Sequence, residues 1–179
     1  MTSRGSRFKD GAMRNPAGQV FMKGRESTEW LEQNLRSTRN FIRKWGHMVK
    51  HDNMMFPIIP PKYDVGFVVK NCDNKMLREL EPWCSTIYTD CEYDDYIKEE
   101  QRNTAFNLSD RIKPYDNEKN NDIIVKFDAK MLNANNFQVI VNLSEMFKDS
   151  AEVGEMEYDV FHFDINSLET YEKDLIIRE

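Results

Sequence analysis

From about Arg25 the chain acquires a helical period. Leu31, Leu35, Thr38, Ile42, Trp45 and Val49 recur at alternating four- and three-residue steps, with Trp30 and Phe41 beside them. This pattern predicts an amphipathic helix whose apolar stripe must be covered. Ser27 stands where an N-cap accepts from free N–H groups, and Gly46 stands where the helix can stop. Ahead of it, residues 1–24 hold four Gly, one Pro and five Lys or Arg among scattered apolar positions, so an extended basic arm that gains order from a partner is expected. Behind it, Pro57, Pro60 and Pro61 forbid a helix and impose extended backbone on the residues before them. Met54, Met55, Phe56, Ile58 and Ile59 in this connector read as a strap packed on the core, with a boundary near residue 62.

Beyond that boundary the period alternates. YDVGFVVK, residues 63–70, reads as a buried strand, Asp73 caps a short helix carrying Met76, Leu77 and Leu80, and Pro82 ends it before the strand STIYTD. Tyr93, Tyr96 and Ile97 give one apolar face to a helix running to about Arg102. Phe106, Leu108 and Ile112 alternate as a strand, PYDNEKNND turns the chain, and Ile123, Val125 and Phe127 alternate again, as a hairpin or a return strand. Asn133 or Asn135 opens a helix with Phe137, Ile140, Val141, Ser144 and Phe147 on one face. GEMEYDVFHFDI reads as one long strand whose apolar parity switches, which implies a bulge or two covered faces. Asn166 and Glu169 have capping-box spacing ahead of a final helix with Leu168, Tyr171 and Leu175 inward. The expectation is an α/β or α+β fold, a mixed sheet of about five strands with packed helices. It divides into the arm 1–24, an amphipathic helix and Pro-rich connector 25–62, and a body 63–179.

With 179 residues, 40% hydrophobic, and only seven Gly and six Pro, the composition is globular and not low-complexity. No apolar run approaches the roughly 18 to 20 residues that span a bilayer, and residues 1–20 have no hydrophobic signal core. No membrane is expected; the chain should act in the cytoplasm or within a particle assembled there. Cys72, Cys84 and Cys91 are odd in number and lack C-x-x-C spacing, poor material for a disulfide framework or a zinc site, and read as reduced, mostly buried thiols. The sequons at Asn107 and Asn142 matter only in a secreted chain.

The net charge of −6 conceals an asymmetry: residues 1–62 carry 12 Lys or Arg against 5 Asp or Glu, a balance of +7, whereas residues 63–179 carry −13. A basic N-terminal third on an acidic body implies either docking on acidic protein surface, such as a neighbouring copy in a symmetric assembly, or contact with nucleic acid. Arg4, Arg7 and Arg14 on the arm, with Arg36, Arg39 and Arg43 in a three-and-four-spaced row on the helix and the aromatic pair Trp30 and Trp45, are the candidate partner-binding residues. A cationic row can track phosphates, but charge rows are more often solvated faces.

Candidate chemistry concentrates in IYTDCEYDDY, where a strand ends in Asp90, Glu92, Asp94 and Asp95. Asp90, Glu92 and Asp94 have the spacing to hold Mg²⁺ or Mn²⁺ through oxygen ligands, while acids here equally suit a helix start, accepting from free N–H groups. The cap reading requires no cofactor. His47 and His51 would share a face of a continuous helix but lack the H-E-x-x-H glutamate, and His162 reads as a paired strand histidine. There is no Gly-rich phosphate loop, no G-x-S-x-G and no dinucleotide fingerprint.

STRNFIRKWG, residues 37–46, resembles the Arg/Asn-rich, aromatic, Lys-Trp-Gly stretch near the C-terminal end of family-2 glycosyltransferase domains. That family also requires a preceding nucleotide-sugar domain with a strand-end Asp-x-Asp. Here 36 residues precede the match and TDCEYDD lies downstream, so the resemblance implies a glycosyltransferase-related accessory region separated from its catalytic half. Two functional readings follow. One is a non-enzymatic interaction or assembly protein, a subunit of a larger complex such as a phage particle, attached through its basic arm and helix. The other binds a nucleotide-sugar with a divalent metal at Asp90, Glu92 and Asp94.

Overall fold

A computed structural model describes residues 27–150 and 152–170. The arm with Arg4, Arg7 and Arg14, and the expected final helix from Tyr171 onward, lie outside the described residues. The chain divides into two compact units, 1–37 and 38–179.

Helix α1 (Thr28–Trp45) begins in the first unit and ends in the second. Ser27 caps it as expected, its Oγ accepting from the Trp30 N–H at 3.2 Å. Gly46 terminates it with φ 76°, its N–H reaching the Ile42 carbonyl at 2.6 Å, a left-handed position where glycine bears no Cβ penalty. The apolar stripe is covered only toward its C-terminal end: Ile42 is buried, whereas Leu31 and Leu35 are 50% and 60% exposed.

The connector is not a strap. Strands β1 (Lys50–His51) and β2 (Pro57–Ile58) pair antiparallel. Between them the Asp52 carboxylate accepts from the Met54 and Phe56 N–H groups at 2.8 and 2.9 Å, with Met55 at φ 67°. This side-chain-braced turn projects the segment outward, so Met54, Met55, Phe56, Ile58 and Ile59, expected on the core, are exposed; Pro60 is where the chain returns to the interior.

The body is one six-stranded mixed sheet in the order β5-β4-β3-β6-β8-β7, built on β3 (Val65–Lys70), β4 (Thr86–Thr89), β5 (Ile112–Pro114), β6 (Ile123–Asp128), β7 (Gly154–Tyr158) and β8 (Phe161–Ile165). The first four are parallel, and β8 and β7 complete the sheet antiparallel. Helices α2 (Asn74–Leu80), α3 (Asp94–Glu100), α4 (Leu108–Arg111), α5 (Phe137–Val141) and α6 (Leu143–Ser150) fill the connections. Asp73 opens α2 as predicted, its carboxylate accepting from the Met76 N–H at 2.7 Å.

Strand parity explains the layering. Phe67, Val69, Ile87, Val125 and Phe163 share a core with Leu77, Leu80, Tyr96, Leu108, Ile140 and Phe147, so all five of these helices cover the same face. On the opposite face Val68, Tyr88 and Ile124 make a small cluster under Tyr115, with the Lys119 ammonium over the Tyr88 and Tyr115 rings at 5.6 and 5.4 Å. Toward β7 that face is charged and open: His162 pairs with Asp164 at 2.8 Å, and Lys126 pairs with Asp164.

Four expectations are corrected. Asn107 caps a helical turn, its Oδ1 accepting from the Ser109 N–H at 3.2 Å, so Leu108 lies on α4 and not on a strand. Strands β5 and β6 are not a hairpin, because β6 crosses to the far side of β3 and pairs with it in parallel. The long strand 154–165 is two, turned at Asp159 with φ 54° and registered Tyr158 opposite Phe161; the two-residue turn is what reverses the parity. Asn166 does not open a helix at its own position; its N–H donates to the Asp122 carbonyl.

Candidate functional site

The parallel strands reverse their order of addition at β3 and β6, and the carboxyl ends of strands at such a point are where open α/β sheets take ligands. Asn71, left-handed at φ 53°, follows β3 there. Its side-chain amide donates to Asp128 Oδ2 at the end of β6, 2.7 Å away. Asp90, at the end of β4, accepts from the Asn71 and Cys72 N–H groups at 2.8 and 3.1 Å, one on each oxygen. The carboxylate therefore clamps the loop after β3 and does not cap α3. Glu92 and Asp94 point to solvent, Asp94 in the first turn of α3. Among the described residues no three His, Cys, Asp or Glu side chains converge as metal ligands.

Two thiols adjoin this cluster. Val69 pairs with Thr89 at the end of the parallel β3–β4 ladder, three residues before Cys72 and two before Cys91. The Thr89 hydroxyl donates to Cys91 Sγ at 3.3 Å. The neighbouring Cys72 thiol, more than any other influence, draws the Cys91 thiol down to about 7, while Cys91 and burial push Cys72 upward. Cys84, by contrast, is buried and raised by desolvation. The absence of C-x-x-C spacing hid a pair that parallel register assembles.

The arginine row is distributed unlike a phosphate track. Arg36 pairs with Glu32 at 3.5 Å on the exposed surface. Arg39 holds Glu100 bidentately, both contacts at 2.8 Å. Arg43 is buried against Glu81 at 2.7 Å and Glu100 at 2.9 Å, and its remaining nitrogen donates to Asn40 Oδ1 at 2.9 Å. Arg111 closes the far side of Glu81 at 2.6 Å, and the Tyr96 hydroxyl donates to Glu81 at 3.0 Å. Burial alone would raise the Glu81 carboxyl, but the Arg111 and Arg43 guanidinium groups outweigh it and hold it below 4.5; Glu100 follows the same balance against Arg39 and Arg43. Lys62 donates to the Arg43 and Lys44 carbonyls at 2.8 and 3.1 Å, and burial together with Arg111 lowers it to about 8. This network fastens the end of α1 to the body. Trp45 stacks near Phe41, ring centroids 6.3 Å apart, with the Lys44 ammonium over its ring at 5.0 Å.

The histidine pair is separated because α1 stops at Gly46. His47 is buried, its Nδ1 2.6 Å from the Met48 carbonyl and its Nε2 without a partner, whereas His51 is exposed on β1.

The third feature is apolar. The hairpin from Met48 to Ile59 presents Met48, Val49, Met54, Met55, Phe56, Ile58 and Ile59 at 40–75% exposure. At its base Lys50 reaches Asn142 Oδ1 at 3.2 Å and Glu145 at 2.9 Å on α6. Asn142 also lines a groove of about 480 Å³ between the α5–α6 corner and β7, with Val139, Met146, Met156 and Tyr158 as its apolar wall. Hairpin and groove are adjacent features of the same surface, and the sequence pattern signalled neither. Among the described residues no helix is long and apolar enough to cross a membrane. No family model, no curated protein and no solved structure matches the chain.

Proposed function

We propose that this chain is a non-enzymatic interaction and assembly protein that associates with a second copy of itself, as a subunit of a larger complex. The observation that carries this reading is the apolar hairpin from Met48 to Ile59. A contiguous group of large apolar side chains on a soluble surface is what a binding face looks like, because leaving it in water forfeits the free energy of burying it.

A second copy fits for two reasons. The hairpin and the apolar groove adjoin through Lys50, Asn142 and Glu145, so a two-fold contact in which each hairpin covers the partner's groove satisfies both at once. The charge split of the whole chain, +7 over residues 1–62 and −13 over residues 63–179, agrees as well, since complementary fields accelerate and orient the association of unlike segments of two copies. The basic arm, with Arg4, Arg7 and Arg14, extends the same attraction to the neighbour's acidic surface. Mass in solution across a concentration series tests this. A chain that stays monomeric at high micromolar concentration and low salt would sink it.

A second reading, a glycosyltransferase-related accessory domain binding a nucleotide-sugar, has one observation in its favour: Asn71, Asp90 and Asp128 gather at the strand-order reversal. It requires a ligand to displace the Asn71 and Cys72 N–H groups from Asp90 before that carboxylate can meet a metal. Thermal stabilisation by Mn²⁺ with a nucleoside diphosphate, lost in Asp90→Asn, would support it over the assembly reading.

A further inference from the structure

We infer that Cys72 and Cys91 form a redox-active thiol pair that small-molecule disulfides convert to an intramolecular disulfide. The pair is assembled by the sheet: each cysteine follows the end of one of two neighbouring parallel strands, whose last paired residues, Val69 and Thr89, stand three and two positions before them. The Asp90 carboxylate holds the Cys72 N–H at 3.1 Å, fixing the loop that carries one sulfur against the residue that precedes the other. Both thiols are only partly buried, unlike Cys84.

The two sulfurs differ in role. Cys91 Sγ accepts from the Thr89 hydroxyl at 3.3 Å, and a donor aimed at sulfur favours the thiolate. Cys72 instead donates, to the Asp73 carbonyl at 3.5 Å, a hydrogen bond that only the protonated thiol can make. Cys91 is then the attacking sulfur and Cys72 the resolving one. The Cys91 thiolate displaces one thiolate from a small disulfide such as oxidised glutathione, forming a mixed disulfide. Cys72, losing its proton as it attacks, displaces the second thiolate from Cys91. The protein gives up two electrons and two protons, and the small disulfide is reduced to two thiols. The new bond ties the loop after β3 to the loop after β4, beside the Asn71–Asp128 contact.

The test is equilibration of the full chain with oxidised and reduced glutathione in graded ratio, followed by acid quench, alkylation and mass spectrometry. The expected product is 2 Da lighter than the reduced chain, yields a linked peptide containing Cys72 and Cys91, and leaves Cys84 alkylated only after denaturation. Cys72→Ala should accumulate a glutathione adduct on Cys91, about tenfold more than Cys91→Ala accumulates on Cys72. Absence of the linked peptide in fully oxidised glutathione, or a link formed instead through Cys84, would overturn the inference. Cys72→Ser serves if the alanine variant does not fold; an adduct ratio near one in the folded variants would refute the assigned roles. The outcome does not depend on self-association.

Discussion

Arg43 and Glu81 meet at 2.7 Å with both side chains fully withdrawn from solvent. A buried pair of this kind is costly to break, because removing one partner strands the other charge in the interior. Here Glu81 also serves Arg111 and Tyr96, so its loss leaves buried Arg43 with Glu100 as its one carboxylate and Arg111 with backbone carbonyls alone. Glu81→Ala is therefore expected to cost about 3–5 kcal/mol of unfolding free energy. Arg36→Ala, which removes an exposed pair on the same helix, should cost no more than about 0.5 kcal/mol. Urea denaturation of both variants distinguishes this network from a solvated face; equal, small losses would contradict it.

The same network sets an acid limb. Glu81 and Glu100 are held below their ordinary value of 4.5 in the folded chain, so the unfolded chain binds protons first as pH falls. Their contribution is fully present above about pH 4.5 and is lost progressively as pH falls from there through the folded values. The urea midpoint should drop along this limb, and Glu100→Gln should flatten it. A wild-type midpoint unchanged down to pH 3 would show that these carboxylates are not selectively stabilised in the folded state.

Gly66 in β3 lies against Asn121, whose side chain would collide with a Cβ there. Asn121 cannot move freely, since it donates to Asp64 at 2.7 Å and accepts from the Tyr88 hydroxyl at 3.0 Å. Gly66→Ala is expected to destabilise by about 1–3 kcal/mol, and the double variant with Asn121→Ala should recover part of that loss in thermal melts.

Asp90 is a main-chain clamp, so Asp90→Asn should lower the melting temperature without any metal, having exchanged one acceptor oxygen for a donor facing an N–H. Mn²⁺ with a nucleoside diphosphate should leave the wild-type melting temperature unchanged. A saturable rise with these ligands would return Asp90 to the role of metal ligand.

Local chemistry made much of this fold readable. The Ser27 and Asp73 caps, the Gly46 stop and the apolar runs of β3 and β6 are decided by neighbours a few residues away, and there expectation and structure agree. What failed depended on distance. The arginine row looked solvated because Glu81 and Glu100, 38 and 57 positions from Arg43, supply its partners only after α2 and α3 are in place. The turn at Asp159 carries no glycine, so the hairpin it makes passed for one strand. Cys72 and Cys91 became neighbours only through parallel pairing. The exposed hairpin was misread because proline and apolar residues together suit a packed strap as well as a projecting one, and the choice lay in the Asp52 carboxylate bracing the turn.

Self-association through the Met48–Ile59 hairpin is the central claim, and light scattering on size-exclusion eluate tests it most directly. The wild-type chain, loaded over a hundredfold concentration range at low salt, should approach twice the monomer mass. The double variant Phe56→Glu with Ile59→Lys, altering only exposed side chains, should elute as a monomer with an unchanged melting temperature. A monomeric wild type, or a dimer that survives the substitutions, would contradict the account.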